Sequence, residues 1–237
     1  MKGEGNSAAQ QLSIIVPCLN EAAGIVAALD RLQPLRARGA EVVVVDGEST
    51  DGSVALAAPL ADRILAAPRG RASQMNAGAT VARGPVLLFL HADCALPADA
   101  ERLIVDGLAA SDKRWGRFDV NLDGVHPLLR LIAFMMNLRS RLTGIATGDQ
   151  GMFVTRELFA KAGGFPVIPL MEDVALSKLL KTHGAPLCLR QHIIASARRW
   201  EQRGVLRTVV LMWRLRLAYF LGADPGDLAL RYDRSGR

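Results

Sequence analysis

Three short apolar runs, LSIIVP at 12–17, VVVVD at 42–46 and VLLFL at 86–90, show no polar alternation. A strand with one wet face alternates, whereas an unbroken run belongs to a strand covered on both faces, as in a parallel sheet between helical layers. The segments between them carry helical spacing: EAAGIVAALDRL at 21–32, residues 51–58 after an Asp-Gly turn, RASQMNAGATVA at 71–82, and 97–109, which Pro97 is placed to open. Strand and helix alternate, so the first half reads as βαβαβ with right-handed crossovers.

Beyond residue 110 the pattern changes. A strand is expected over 115–122 and a helix near 127–142, then the turn-rich TGDQG (147–151), a short strand MFVT, and a helix over 156–162 closed by Gly163 and Gly164. A helix over 172–184, a strand over 187–197 and a long helix over 204–221 complete the chain. No Ser, Pro or Gly-rich linker divides the halves, so the second half is expected to extend the same sheet and wall a shared site. With 237 residues, half of them apolar, one α/β domain with a large core is the natural size.

In an open α/β sheet, ligands bind beyond the carboxyl ends of the strands. The polar residues standing there are Asn20 and Glu21 after the first run, Asp46, Glu48 and Asp51 after the second, and His91 and Asp93 after the third. Asp51, in STDGS, reads as a turn or helix cap. Asp46 and Asp93 directly follow apolar strands, where a carboxylate without a partner is costly, and so read as ligand-binding groups. No GxGxxG follows the first strand and no GxxxxGK[ST] occurs, so neither a dinucleotide fingerprint nor a P-loop is present. A divalent cation held by aspartate is the remaining simple device for gripping a diphosphate, since substrate and water supply most of its ligands.

Lys and Arg outnumber Asp and Glu by 29 to 23, with Arg strongly preferred, which suits bidentate binding of phosphate. Cys18, Cys94 and Cys188 are odd in number and widely spaced, which supports neither a disulfide framework nor a thiolate zinc site. The polar start MKGEGNSAAQQ lacks the apolar core of a signal peptide, and no stretch approaches the ~18 apolar residues of a spanning helix. A cytoplasmic protein able to reach the inner face of the membrane is therefore expected.

The ordered series SIIVPCLNE, VVVVDGESTDGS, GRASQMNAGA, VLLFLHADC, GDQGMFVTRELFAKAGGFP and MEDVALSKLL resembles the family 2 glycosyltransferases of the GT-A fold over roughly residues 12–200. It is most similar to a small bacterial subgroup with HAD in place of the usual DxD. The resemblance implies a Rossmann-like α/β fold with a mostly parallel central sheet flanked by helices. It also implies a metal-dependent, inverting transfer from a nucleotide diphosphate sugar, UDP-linked in the common case, to an acceptor hydroxyl. A nucleotidyltransferase, or a catalytically silent nucleotide-sugar binder, is the alternative that fold alone does not separate.

Matched position by position, the resemblance assigns Pro17, Asn20 and Glu21 to the nucleoside pocket, Asp46 to the base, and Arg71 and Asn76 to the segment closing over the nucleotide. It assigns Asp93 to a divalent cation, Mg²⁺ or Mn²⁺, on the diphosphate, and Asp173 to the general base. Gly47 stands where the family often has a second aspartate, and His91 where the first DxD aspartate would be, so His91 either contacts the donor or packs. ASARRW (195–200) partly matches the QxxRW of processive members, which brings Arg199 and Trp200 to the acceptor side. Glu172 is expected at the helix start or the acceptor, and Asp149 either in a plain turn or on acceptor hydroxyls. His126, His183 and His192 adjoin no acid at ligand spacing.

The segments PLLRLIAFMMNLRSRL and VLRTVVLMWRLRLAYFL join apolar bodies to arginines with no acids between. Such basic amphipathic helices suit an anionic membrane surface and an apolar or lipid-linked acceptor; burial against the domain or a second copy is the other reading. On this reading Arg130, Arg139, Arg141, Arg207, Arg214 and Arg216 face lipid. The chain divides into a flexible segment 1–11, a transferase domain 12–200, and a basic helix and tail 201–237 packed on it. The expected partners are the sugar donor, an unassigned acceptor and the membrane surface, not nucleic acid.

Overall fold

The computed structural model describes residues 11–234, apart from the side chains of residues 199, 233 and 234. The flexible segment expected at 1–11 therefore lies, but for Gln11, outside the described residues. The first half runs β1 (Leu12–Cys18), α1 (Ile25–Asp30), α2 (Gln33–Ala37), β2 (Glu41–Asp46), α3 (Ser53–Ala57), β3 (Arg63–Ala66), α4 (Arg71–Val81) and β4 (Val86–Phe89). It continues with β5 (Cys94–Ala95), α5 (Ala100–Ala109), β6 (Trp115–Asp123), α6 (Leu128–Thr143), β7 (Met152–Thr155) and α7 (Arg156–Lys161). The last part is α8 (Glu172–Lys181), β8 (Leu187–Ser196), α9 (Arg198–Arg203), α10 (Val205–Phe220) and α11 (Pro225–Arg234).

All eight strands form one sheet in the order β3-β2-β1-β4-β7-β6-β8-β5. The β3-β2-β1-β4 part is parallel, as is β6 with β8, while β7 and β5 run antiparallel to their neighbours. The apolar runs are buried on both faces. Ile14, Val16, Val42 and Val44 face a core with Ile25, Leu29, Leu35 and Ile104 from α1, α2 and α5. Ile15, Val43 and Val45 face the opposite core, with Met75 of α4, Phe159 of α7 and Leu176 of α8. Gly78 lets α4 lie close on the sheet, since a Cβ there would press into Ile15 and Val45.

Several boundaries differ from the sequence expectations. The helix expected over 21–32 is the shorter α1, and α2 follows it as a separate helix, because Pro34 near the start of α2 cannot continue an unbroken turn past the carbonyl of Asp30. Pro97 opens a turn rather than a helix, and α5 begins at Ala100. The edge strand β3, the two-residue β5 and the short α9 carried too little periodic signal to be expected, and the amphipathic α11 was passed over. A third cluster of Ile145, Met171, Val174, Leu215 and Leu228 fixes α10 and α11 against the start of α8. Among the described residues no helix is long and apolar enough to cross a membrane.

Candidate active site

Register sets the first wall of the site. Cys18 pairs with Asp46 at the carboxyl ends of β1 and β2, so the loops after both strands meet. Asn20 ties them together: its N–H donates to Ser49 Oγ (2.9 Å), and its Oδ1 accepts from Thr50 N (2.9 Å). Asp51 caps this turn as expected, accepting from Ser53 N at 3.1 Å and from Ala22 N at 2.9 Å. Pro17 and Glu21 are half-buried at the same edge. The pKa of Glu21 is raised, by desolvation first and by Asp93 second, which puts the two carboxylates in one electrostatic neighbourhood.

Asp46 is buried. Its Oδ2 accepts from the N–H of Glu48 and of Ser49, each at 3.0 Å, while Oδ1 is shielded from solvent without a partner in the chain. Leaving such an acceptor bare costs about 1–3 kcal/mol, so it is poised for a donor that a ligand would bring. The glycine at 47 has a local cause. The buried amide of Gln74 donates to Cys18 O and Val45 O, each at 2.8 Å, and fills the space a side chain at 47 would need. Sequence reasoning passed over Gln74; a polar residue on the inner face of an otherwise small-residue helix was the available signal.

The second wall comes from the 147–151 turn and the head of α8. Asp173 accepts from Gly148 N at 2.8 Å through Oδ2 and from Val174 N at 2.7 Å through Oδ1. Met171, in a left-handed conformation (φ 69°), is the N-cap of α8, so neither Glu172 nor Asp173 occupies the capping position. His91 Nδ1 lies 3.4 Å from Asp149 Oδ1, and a Cβ at Gly148 would collide with the imidazole. His91 therefore packs against the turn that holds Asp173. Arg71, Glu172 and Arg216 join His91, Asp149 and Asp173 around one polar pocket. Desolvation pulls the Arg71 pKa down, but Glu172 first and Asp149 next outweigh it and hold the guanidinium above its ordinary value.

Other expectations move. Both ends of the Asn76 carboxamide are taken by the backbone of Phe165, at 2.8 and 2.9 Å, so Asn76 secures the Gly163-Gly164 turn and is not brought into the pocket. Trp200 lines an apolar groove beside Asp149; the Arg199 side chain lies outside the described residues. Of the arginines expected to face lipid, three are engaged by the fold or partly shielded instead. Arg141 binds Asp119 (2.5 Å) and Cys188 O (3.3 Å), while Arg139 Nε and Nη2 and Arg216 Nε are shielded from water. Helical spacing could not see this, because it does not record that Arg139 and Arg216 turn into one groove between α6 and α10, or that Asp119 and Cys188 lie beside Arg141.

His91, Asp93 and Cys94 can bring one ligand atom each within 4.8 Å of one another. Cys94 is buried, and burial raises its thiol pKa well above the ordinary value, so it remains protonated and is a poor ligand. An exposed carboxylate and an imidazole remain, a donor set that fits Mn²⁺ and, through the carboxylate, Mg²⁺.

The fold is of the GT-A type, with carboxylates at the parallel strand ends and a second group of acidic residues on the 147–151 turn and the head of α8. Comparison with known proteins agrees, and the family model for glycosyl transferase family 2 matches residues 13–160. The chain belongs to glycosyltransferase family 2. It is 41% identical over 96 residues to a PGL/p-HBAD biosynthesis glycosyltransferase of Mycobacterium bovis, covering 38% of each chain. It is 37% identical over 111 residues to the succinoglycan biosynthesis protein ExoA of Rhizobium meliloti, covering 40% of this chain and 32% of that protein. The chain thus spans well under half the length of these relatives. Among solved structures it resembles S. aureus TarS 1–349 in complex with UDP-GlcNAc, with TM-score 0.64 and 18% identity over 78% of this chain and 58% of that one. It also resembles the mannosyltransferase PcManGT of Pyrobaculum calidifontis in complex with GDP-Man and Mn²⁺, with TM-score 0.62 and 22% identity over 88% and 61%.

Glu172 supplies a test of this geometry. Burial, and next the adjacent Asp173, raise its pKa, and Arg71 offsets this only in part. A carboxyl whose pKa rises on folding stabilises the fold while protonated, and that contribution is lost as pH climbs through the raised value. Glu172→Gln imitates the protonated form. It should therefore melt above the wild type at about pH 8, with the gap closing as pH falls toward ~4.3, the ordinary glutamate value. Thermal melts across that range check this, and a gap independent of pH would refute it.

Proposed function

We propose that the chain transfers a sugar, with inversion, from a UDP-linked donor to a hydroxyl of an apolar or lipid acceptor, using a divalent cation on the donor diphosphate. The observation that carries this reading is Asp173, fixed by Gly148 in a polar pocket that it shares with His91, which follows β4, and with Arg71. The bare Oδ1 of Asp46 suits a nucleobase N–H. Relatives in fold bind UDP-GlcNAc or GDP-Man, the latter with Mn²⁺.

In this mechanism Asn20 and Asp46 hold the nucleoside, and Arg71 lies toward the phosphates. Asp93 with His91 would hold the cation, which when bound neutralises charge on the leaving diphosphate. An acceptor hydroxyl seated against Asp173 gives its proton to a free lone pair of that carboxylate as its oxygen bonds the anomeric carbon. The anomeric bond to the diphosphate breaks on the opposite face, and the nucleotide leaves as an anion. Asp173 has lone pairs to spare, since a carboxylate offers about four acceptor sites and two are used here.

Exposure supports a place of action at a membrane surface. Leu131, Phe134 and Leu142 of α6 and Leu206, Trp213 and Leu217 of α10 are all more than half exposed. Arg130, Arg207 and Arg214 stand exposed beside them. This is an apolar face with a cationic rim, suited to the surface of an anionic bilayer.

Three outcomes test the reading. In calorimetry, Asp93→Asn should lose the enhancement of UDP binding by Mn²⁺ while retaining metal-free binding; wild-type behaviour would take the cation away from Asp93. Asp173→Asn should lower kcat by roughly 10² to 10⁴ with donor affinity kept, since it preserves shape and removes basicity. Retained turnover with a confirmed acceptor would move the base elsewhere. Flotation should show the protein on anionic vesicles at low salt and off them at high salt, because exposed charges are screened within about 10 Å at 0.1 M.

A further inference from the structure

The apolar groove between α6 and α10, about 520 Å³ in volume, is walled by Leu131, Met135, Met212, Trp213 and Trp200. It is not apolar throughout. Arg139 and Arg216 also line it, and Asp149, Met212, Arg216 and Tyr232 are shared with the polar pocket. The groove thus leads from the exposed face of the two helices to the catalytic cleft, with two guanidiniums along its wall.

Those guanidiniums are unusual in this chain. Arg117 and Arg141 reach Asp119, Arg36 reaches Asp62 and Arg63 reaches Glu41. Among the described residues no carboxylate lies within ion-pair distance of Arg139 or Arg216. Arg139 Nε and Nη2 and Arg216 Nε are out of solvent and without a hydrogen-bond partner. Burial first, and the charge of Arg216 second, lower the Arg139 pKa to about 10; burial lowers that of Arg216 as well. Asp173 offsets this for both, and Asp149 also for Arg216, but neither carboxylate comes within ion-pair distance of either guanidinium. Two like charges desolvated together, with donors unmet, cost stability unless something anionic arrives. Planar guanidinium forks match the oxygens of a phosphate, and two of them match a dianion.

We propose that Arg139 and Arg216 form a head-group subsite, and that the acceptor is an amphiphile bearing a phosphate monoester next to an apolar chain that lies along the groove. Only the word acceptor rests on the glycosyltransferase reading; the binding chemistry stands by itself. The donor diphosphate is a poorer occupant, because Arg139 does not line the polar pocket, where Arg71 and His91 sit. Unbranched methionines and broad indole faces suit a flexible hydrocarbon chain.

Trp200 and Trp213 report on the groove, so tryptophan fluorescence can follow titration with monomeric dodecyl phosphate, dodecyl glucoside and inorganic phosphate. Dodecyl phosphate should bind the wild type at least about tenfold more tightly than either of the others, the scale of one charge-assisted hydrogen bond. Arg139→Met and Arg216→Met should each abolish the advantage over dodecyl glucoside, and Arg139→Met should leave UDP affinity by calorimetry unchanged. Equal binding of dodecyl glucoside to the wild type would reduce the groove to an apolar slot. Equal binding of inorganic phosphate would make it an ion site without a chain, and a parallel loss of UDP affinity in Arg139→Met would assign the guanidinium to the donor. Each overturns the proposal, and the wild-type comparison holds even if a variant misfolds. Failure of UDP to bind the wild type with Mn²⁺ would instead sink the transferase reading and leave the amphiphile result standing.

Discussion

Gly148 donates its N–H to Asp173, and the arrangement of the cleft depends on that contact. The donor belongs to the turn before β7 and the acceptor to the head of α8, so the bond joins two elements the sheet does not connect. The turn is held in its own right. Thr147 and Gln150 satisfy each other as a capping box, and Gln150 Nε2 reaches Asn137 Oδ1 at 3.3 Å. Asn137 in turn pairs with both backbone groups of Val120, at 2.8 and 2.9 Å. A run of buried amides thus extends from β6 through α6 to the turn that holds the Asp173 carboxylate. Satisfied networks of this kind are stiff, because every partner would cost free energy if released.

The same turn accounts for the histidine where an aspartate would be expected. His91 ends the run that begins as β4, and its ring lies against Gly148 and within 3.4 Å of Asp149. An aspartate in its place would set two carboxylates facing each other, whereas an imidazole fills the gap and offers a partner. One residue therefore closes the joint between the parallel half of the sheet and the wall that carries Asp173.

The parallel half was legible because its signal is local. Unbroken valine and leucine runs can only be strands buried twice over, and the polar residue ending each run must then sit at the ligand edge. Asp46, Asn20 and Asp51 stand where that logic puts them. What could not be read depends on which elements come to lie on one another. Asn76 looked like a site residue until the 163–165 turn, far along the chain, was seen to consume its carboxamide. Gln74 was passed over, yet it stitches the ends of β1 and β2. Arginines spaced along α6 and α10 read as one cationic face because sequence records their helical phase and not the groove into which some of them turn.

That groove changes what the charge on these helices means. An exposed arginine beside leucine and tryptophan attracts an anionic surface loosely, over a Debye length and subject to salt. An arginine with guanidinium nitrogens shielded from water and unmet interacts at short range and with direction. Arg130, Arg207 and Arg214 are of the first kind, and Arg139 and Arg216 of the second. The two kinds occur on the same pair of helices, the first at the rim and the second along the groove that reaches the cleft. Backbone strain falls on the catalytic side of that path: Asn20, Glu48 and Met171 are the non-glycine residues with positive φ among the described residues, and all three lie in loops that border the cleft. A left-handed conformation costs each of them on the order of 1–2 kcal/mol, which persists only where surrounding structure over-determines it. The fold thus stores its unfavourable terms, bare donors in the groove and strained loops at the strand ends, where a ligand is able to relieve the first and make use of the second.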